Sequence, residues 1–530
     1  MWLESSNSNQ DSTKDRMATL YTNSETLRTE ALPNKNESKT IISQWVDAIT
    51  TEVSKGNIRT PEGFTGPTIS ARFYSMVGTA AYEAWQTTET SNQSTVGLKN
   101  QDTNLQNKNF VENLITSTIL KIVNSKHSGV TKDGRANFKD FADRARNNSK
   151  SSSLTKDLSK KIAKKILKFY KKDGYDMASD YTPINSLERI EKIEFWTPEF
   201  NASDDPSSGL QEYLTPQWGQ VKPFGISKIN LSSLTALAES PEQFLTNTND
   251  SYDLNSATVT DGITGESFSI DASLIGSYIN PEFIKQANNV IEYSQELTDS
   301  DQGKILKGTA EFWEDGYGTP FPPGTWLVIG QLLSLENNFD IGQDAKLFQG
   351  LGASVHAAAI SAWDLKLKEN YARPVRVIRE LSKLGLVTDL DPKTEGSQFF
   401  SFNRETGNVA LINGVDFETY QLPGGGYSPP FAEYTSGHST FSSASAEFLS
   451  QFSGTTEFPW AIEFELTFPF GIDKGKHVIL EYETFKDAAA AAGNSRLWGG
   501  IHFDDGNNNG LKVGEAIGAA IFENLSHYWS

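Results

Sequence analysis

From Thr40 onward, apolar residues return every three or four positions in one long stretch after another, and this spacing most constrains the fold. The clearest run lies between Lys346 and Asn370. Such a period marks a helix with one buried face, and a chain made mainly of such helices must pack them on one another. IISQWVDAITTEV predicts a first helix, and PTISARFYSMVGTAAYEAWQ a second, with Pro67 and Thr68 at its start. Further helices are expected from near Asn109 and at Pro281–Leu297, Asp299–Asp315, Ser439–Phe452, Thr484–Gly493 and Leu511–Leu525. Alternation around Gly407 and Asn408 predicts a β-hairpin within 396–422, and 457–484 reads as a second excursion of strand and loop. Residues 200–275 read as irregular. The polar residues 1–38 read as a flexible lead-in. The expected architecture is mainly α: a helical bundle over 39–530 as one domain, with small β-hairpin insertions.

Composition removes several function classes. Lys and Arg number 47 and Asp and Glu 67, a net charge of −20, which repels a nucleic-acid backbone. No stretch approaches the roughly 20 apolar residues that span a bilayer. A basic amphipathic segment at 154–172 sets Leu158, Ile162 and Ile166 opposite a row of lysines. On an acidic protein this reads as a solvated outer face, with a membrane-surface helix as the lesser alternative. Cysteine is absent, so disulfides, thiolate metal sites and thiol nucleophiles are excluded. Only four methionines occur, which suits either an exported chain or one living beside a strong oxidant. The opening MWLESSNSNQ shows no signal peptide, yet an acidic, cysteine-free chain suits the periplasm or the exterior, and export is the expectation.

Three strings in the C-terminal half, within about 300–525, carry reactive side chains. In the first, Lys366 and Arg373 are seven residues apart, almost two helical turns, so a continuous helix would put both cations on one stripe and, with Pro374 next, end at Arg373. In the second, PFAEYTSGHS leads into a helix; Ser436 or Thr435 is a natural N-cap, Gly437 permits close approach of the backbone, and His438 stands at the mouth of an anion-binding helix start. In the third, Ser495-Arg496 is followed by Gly500 and His502. Read singly, each has an ordinary explanation: a solvated Lys/Arg face, a locally bonded histidine, a turn. The run Asp504–Asn509 reads as a turn before the last helix, not a calcium loop. Together the strings offer one lysine, two arginines, a Ser-Gly helix start and two imidazoles, an inventory for a tetrahedral oxyanion, not a divalent cation.

In this order, K-x6-RP, SGH and SR-x3-G-x-H resemble the signature shared by vanadium-dependent haloperoxidases and type 2 phosphatidic acid phosphatases. PTISARFYSMVGTAAYEAW, AEFWEDGYGTPFPPGTW and AISAWDLKLKENYARP are similar to the bacterial haloperoxidase branch, so the resemblance covers most of the chain from about residue 40. Thr435 departs from the family, which often has proline there. The resemblance implies vanadate as cofactor, with phosphate able to occupy the same site. It implies His502 as the axial metal ligand; Lys366, Arg373, Arg496, Ser436 and Gly437 around the oxyanion; and His438 as the acid-base residue. Lys366 would also polarise bound peroxide. Trp363 and Phe431 match positions lining the halide pocket, and Asp315 a carboxylate pairing with a pocket arginine. The implied reaction oxidises bromide, iodide or chloride with hydrogen peroxide to hypohalous acid, which halogenates small organic acceptors. Such a product gives the missing cysteines and rare methionines a meaning. Acid phosphatase chemistry, with His502 as nucleophile, is the alternative; a secreted oxyanion- or glycan-binding protein is a lesser one. A homo-oligomer is left open.

Overall fold

The computed structural model describes residues 39–89, 93–98, 107–146, 152–387, 397–422, 425–468 and 473–529, and two strands nearer the start, β1 (Met17–Asn23) and β2 (Thr26–Glu30). Apart from those strands, the lead-in expected over 1–38 lies outside the described residues.

Helices dominate the rest. The first five are α1 (Ile41–Ser54), α2 (Pro67–Gln86), α3 (Lys108–Val123), α4 (Lys132–Ala145) and α5 (Ser153–Tyr170). Then come α6 (Lys228–Thr235), α7 (Pro281–Gln295), α8 (Asp301–Phe312), α9 (Phe321–Glu336) and α10 (Ile341–Glu369). The last four are α11 (Pro374–Lys383), α12 (Gly437–Ser453), α13 (Phe485–Trp498) and α14 (Asp504–Ser526). The sheets are small: β3 (Ser251–Asp253), β4 (Thr258–Thr260) and β5 (Ser267–Ser269) form one, and the hairpin β6 (Gln398–Asn403) and β7 (Asn408–Asn413) another. Strands β8 (Ala461–Glu465) and β9 (His477–Glu481) pair antiparallel, and β1 runs parallel beside β8. The architecture is the expected mainly α bundle with small β insertions.

Local chemistry starts each helix that builds the site. Asp340 caps α10 by accepting from the amides of Gly342 and Gln343, and the Gln343 side chain answers to the Asp340 amide. Thr484 and Asp487 form the same reciprocal cap on α13, and Ser436 caps α12 through the amide of Ser439. The 29-residue α10 is buried along nearly its whole length and forms the axis of the bundle. Small residues let its neighbours close on it. A Cβ added at Gly78 of α2 would lie 2.2 Å from the carbonyl oxygen of Phe348. Along α14, added Cβ atoms at Gly510, Gly514 and Gly518 would lie 2.9, 2.5 and 2.3 Å from the carbonyl oxygens of Ser436, Thr440 and Ala444 on α12. This close approach pins the start of α12, where the SGH string sits, against the helix that follows His502.

Several boundaries differ from expectation. Helix α10 stops at Glu369 because Asn370 turns left-handed at φ 47°, and Arg373 is extended at ψ 147° ahead of Pro374. The single stripe joining Lys366 to Arg373 therefore does not exist; Arg373 is the N-cap residue of α11. The run Asp504–Asn509 is the first turns of α14, not a turn before it, with acidic residues where the helix dipole favours them. Helix α9 went unread because its Phe-Pro-Pro start looks like a break, although proline is tolerated in a first turn. Helix α4 buries only Gly134, Phe138 and Ala142, too thin a stripe to see among charges. On α5 the lysines face out and Leu158, Ile162 and Ile166 face in. Among the described residues no helix is long and apolar enough to cross a membrane.

Candidate active site

The left-handed turn at Asn370 reverses the chain so that Lys366 and Arg373 reach the segment Phe431–Glu433 from two sides. Lys366 Nζ donates to the carbonyls of Ala432 and Glu433 at 2.9 and 2.8 Å. Arg373 Nε donates to Phe431 O at 3.0 Å, and its Nη1 to Ile501 O at 2.9 Å. Arg496, near the end of α13, donates Nη1 to the carbonyls of Trp313 and Glu314 at 3.0 and 3.1 Å. All three cations are buried, with exposures of 0, 2 and 1%. Burial drives their protonation equilibria toward the neutral form: Lys366 is held well below the ordinary lysine value, Arg373 falls to about 10 and Arg496 to about 9. For Lys366 the neighbouring Arg373 and Arg496 add to the effect of burial.

The two imidazoles differ in their surroundings. His438 Nε2 lies 3.1 Å from Glu314 O, the same carbonyl that Arg496 uses. An acceptor there makes Nε2 the protonated nitrogen of a neutral ring. His502 is 2% exposed, with Nδ1 2.5 Å from Glu433 Oε1 and Nε2 3.0 Å from Arg373 Nη1. Burial, then the nearby cations, push both histidines well below their ordinary range, so both rings are neutral. Ser436, fully buried, caps α12 beside His438, and Gly437 opens that helix against the ring of Trp363, 3.5 Å from its would-be Cβ.

A cleft of about 530 Å³ reaches this place and is lined in part by His438, Arg496 and Phe431. Its walls also draw on Arg59, Phe64, Leu210 and Leu214, well outside the 300–525 region that carries the three strings. Phe431 lines this cleft. Trp363 stands behind it, ring centroids 4.8 Å apart, with its indole N–H spent on Leu214 O at 3.0 Å. Asp315 is also placed differently from expectation. It is buried near Arg496 but accepts from the Thr325 hydroxyl at 2.6 Å, while main-chain carbonyls hold the arginine's fork. Burial raises both Asp315 and Glu314 to about 7, the charge of Arg496 opposing.

Sequence reasoning passed over Glu433. It lies inside the second string, flanked by Ala432 and Tyr434, and a lone acid in an otherwise apolar run was the available signal. Its carboxylate is fully buried and raised to about 7 by that burial, against the pull of Lys366 and Arg373.

The donors fit an oxyanion. Buried ion pairs occur elsewhere, Arg72–Asp173 at 2.6 Å, Lys307–Asp473 and Arg376–Glu199 at 2.8 Å, but among the described residues none includes Lys366, Arg373 or Arg496. Arg373 Nη2 and Arg496 Nε are buried and have no hydrogen-bond partner. Uncompensated buried cations cost several kcal/mol each on the usual scale, about 3–5 kcal/mol, unless an anion joins them. Among the described residues no group of three His, Cys, Asp or Glu is arranged to hold a cation.

Within this helical bundle Lys366, Arg373 and Arg496, none of them in an ion pair among the described residues, lie near two neutral imidazoles and the N-terminus of α12; of these groups, His438 and Arg496 line the cleft. Residues 346–530 match the family model described as VCPO second helical-bundle domain, which contains all three strings. Across nearly the whole chain the fold is similar to that of a holo-type bacterial vanadium-dependent chloroperoxidase: TM-score 0.67, 16% identity, 94% of this chain and 99% of that one covered. It is likewise similar to an apo-type bacterial vanadium-dependent chloroperoxidase, with TM-score 0.65, 15% identity and coverage of 88 and 95%. A bacterial vanadium-dependent iodoperoxidase gives TM-score 0.61, 18% identity and coverage of 93 and 98%. No curated protein sequence matches the chain. The chain thus has the fold of these bacterial vanadium-dependent peroxidases, and its residues 346–530 match the VCPO second helical-bundle domain.

Proposed function

We propose that the protein is a vanadate-dependent haloperoxidase, oxidising bromide, iodide or chloride with hydrogen peroxide to hypohalous acid that halogenates organic acceptors. The observation that carries this reading is the convergence of three buried cations, none of them in a direct ion pair among the described residues, on two neutral imidazoles, within a haloperoxidase fold. Vanadate, when bound, supplies a Lewis acid that activates peroxide without itself changing oxidation state.

The protein's own groups have separable tasks. His502 would hold the group through its Nε2 lone pair. Lys366, Arg373 and Arg496 neutralise the oxygens, with the Ser436 hydroxyl and the Gly437 amide as further donors. His438 is neutral, with its Nε2–H fixed on Glu314 O, so Nδ1 is the atom that takes a proton from incoming peroxide. Phe431 and the apolar cleft wall exclude water from that step. The same cage takes phosphate. An imidazole backed by a carboxylate, as His502 is by Glu433, is also how a nucleophile is built, which makes acid phosphatase the second reading. Bromide or iodide oxidation that depends on added orthovanadate and is inhibited by phosphate is the expected result. Rapid phosphomonoester hydrolysis with no halide oxidation at any vanadate loading would overturn the proposal.

A further inference from the structure

We propose that Glu433 is the residue that positions His502, fixing its ring and its tautomer so that the Nε2 lone pair is presented to the oxyanion, and that position 506 is glycine to leave that carboxylate room. The inference rests on the reading of His502 as the residue facing the anion.

Two contacts on opposite sides of the ring agree. Glu433 Oε1 lies 2.5 Å from His502 Nδ1 and also accepts from the amide of Phe503 at 3.1 Å. Arg373 Nη1, which can only donate, stands 3.0 Å from Nε2. The proton is therefore on Nδ1 and the lone pair on Nε2. In this arrangement the arginine occupies the lone pair, so an arriving anion replaces Arg373 Nη1 there and meets its partnerless Nη2.

The carboxylate is closely confined. The main chain of Glu433 is pinned at both polar atoms: its amide donates to Tyr371 O at 2.9 Å and its carbonyl accepts from Lys366 at 2.8 Å. Gly506, in the first turn of α14, faces the same group. A Cβ there would lie 2.1 Å from Oε1 and 2.7 Å from Oε2. Carboxylates that hold a ligating histidine by its far nitrogen commonly tune metal affinity by about 10–100-fold.

The test uses the full chain with ¹⁵N-labelled histidine, reading the His502 tautomer without vanadate and, separately, the affinity for orthovanadate. Wild type should show Nδ1–H alone. Glu433→Leu should mix the tautomers and weaken orthovanadate binding about 10–100-fold. Glu433→Gln, which keeps an acceptor oxygen, should restore the tautomer and most of the affinity. Gly506→Ala should reproduce the Glu433→Leu result with the carboxylate still present, which also covers the case in which Glu433→Leu fails to fold. Because Arg373 still faces Nε2, an unchanged orthovanadate affinity together with an unchanged Nδ1–H tautomer in folded Glu433→Leu or Gly506→Ala protein would overturn the positioning role. A correct wild-type tautomer together with no orthovanadate binding would support that role and overturn the oxyanion reading instead.

Discussion

At the scale of single residues, the proposed function divides the work between a ligand, a proton carrier and three charges, and each is separable by mutation. His502→Ala should lose tightly held vanadate, measured by dialysis and metal analysis, because it removes the Nε2 lone pair that Glu433 and Arg373 hold in place. His438→Ala should keep most of the vanadate yet turn over poorly, since His438 holds only a carbonyl and a proton. Equal vanadate retention in wild type and His502→Ala would show that the ligand is another residue. Arg496→Ala should weaken oxyanion binding by about 2–4 kcal/mol, the scale of a lost charge-assisted donor. Calorimetric titration with orthovanadate reads that loss, and an affinity unchanged within a factor of two would contradict it.

At the scale of elements, Asp344 gives a stability prediction with a definite sign. It sits near the start of α10, fully buried, accepts from the Ser334 hydroxyl of α9 at 2.6 Å and is hydrogen-bonded by Thr40, the cap of α1. Burial raises its carboxyl to about 6, above its unfolded value of about 3.9. A raised folded value means that the folded chain binds the proton more readily. The stabilisation is therefore complete below the unfolded value and lost as pH rises through about 6. Wild type should gain about 1 kcal/mol relative to Asp344→Asn between pH 7 and pH 5, followed by denaturant melts; parallel curves would contradict the assignment. Elements were also where the sequence was most and least readable. Long apolar periods revealed α2, α10 and α12, and the Gly-Asn turn the β6–β7 hairpin, because burial of one face dictates those residues. The turn at Asn370 was hidden, since a left-handed residue leaves no period. It changes how Lys366 and Arg373 meet without changing that they meet. Glu433 and the wall residues Arg59, Phe64 and Leu214 escaped because their roles depend on tertiary approach, which local spacing does not encode.

At the scale of the whole molecule, composition and site fit one chemistry. A chain with no cysteine offers hypohalous acid few soft targets, and of its four methionines Met76 is fully buried in α2 while Met177 is partly exposed. Peptide mass analysis after prolonged turnover should find the sulfoxide at Met177 and none at Met76; the reverse order would argue against an oxidant made in the cleft. The central claim is that vanadium is held at His502 within the cage of Lys366, Arg373 and Arg496. Diffraction from crystals of the vanadate-loaded protein, recorded at the vanadium absorption edge, tests it most directly. The account predicts one anomalous peak in bonding contact with His502 Nε2, and none there in His502→Ala crystals treated alike. A loaded, active protein whose vanadium peak lies away from His502 would contradict it.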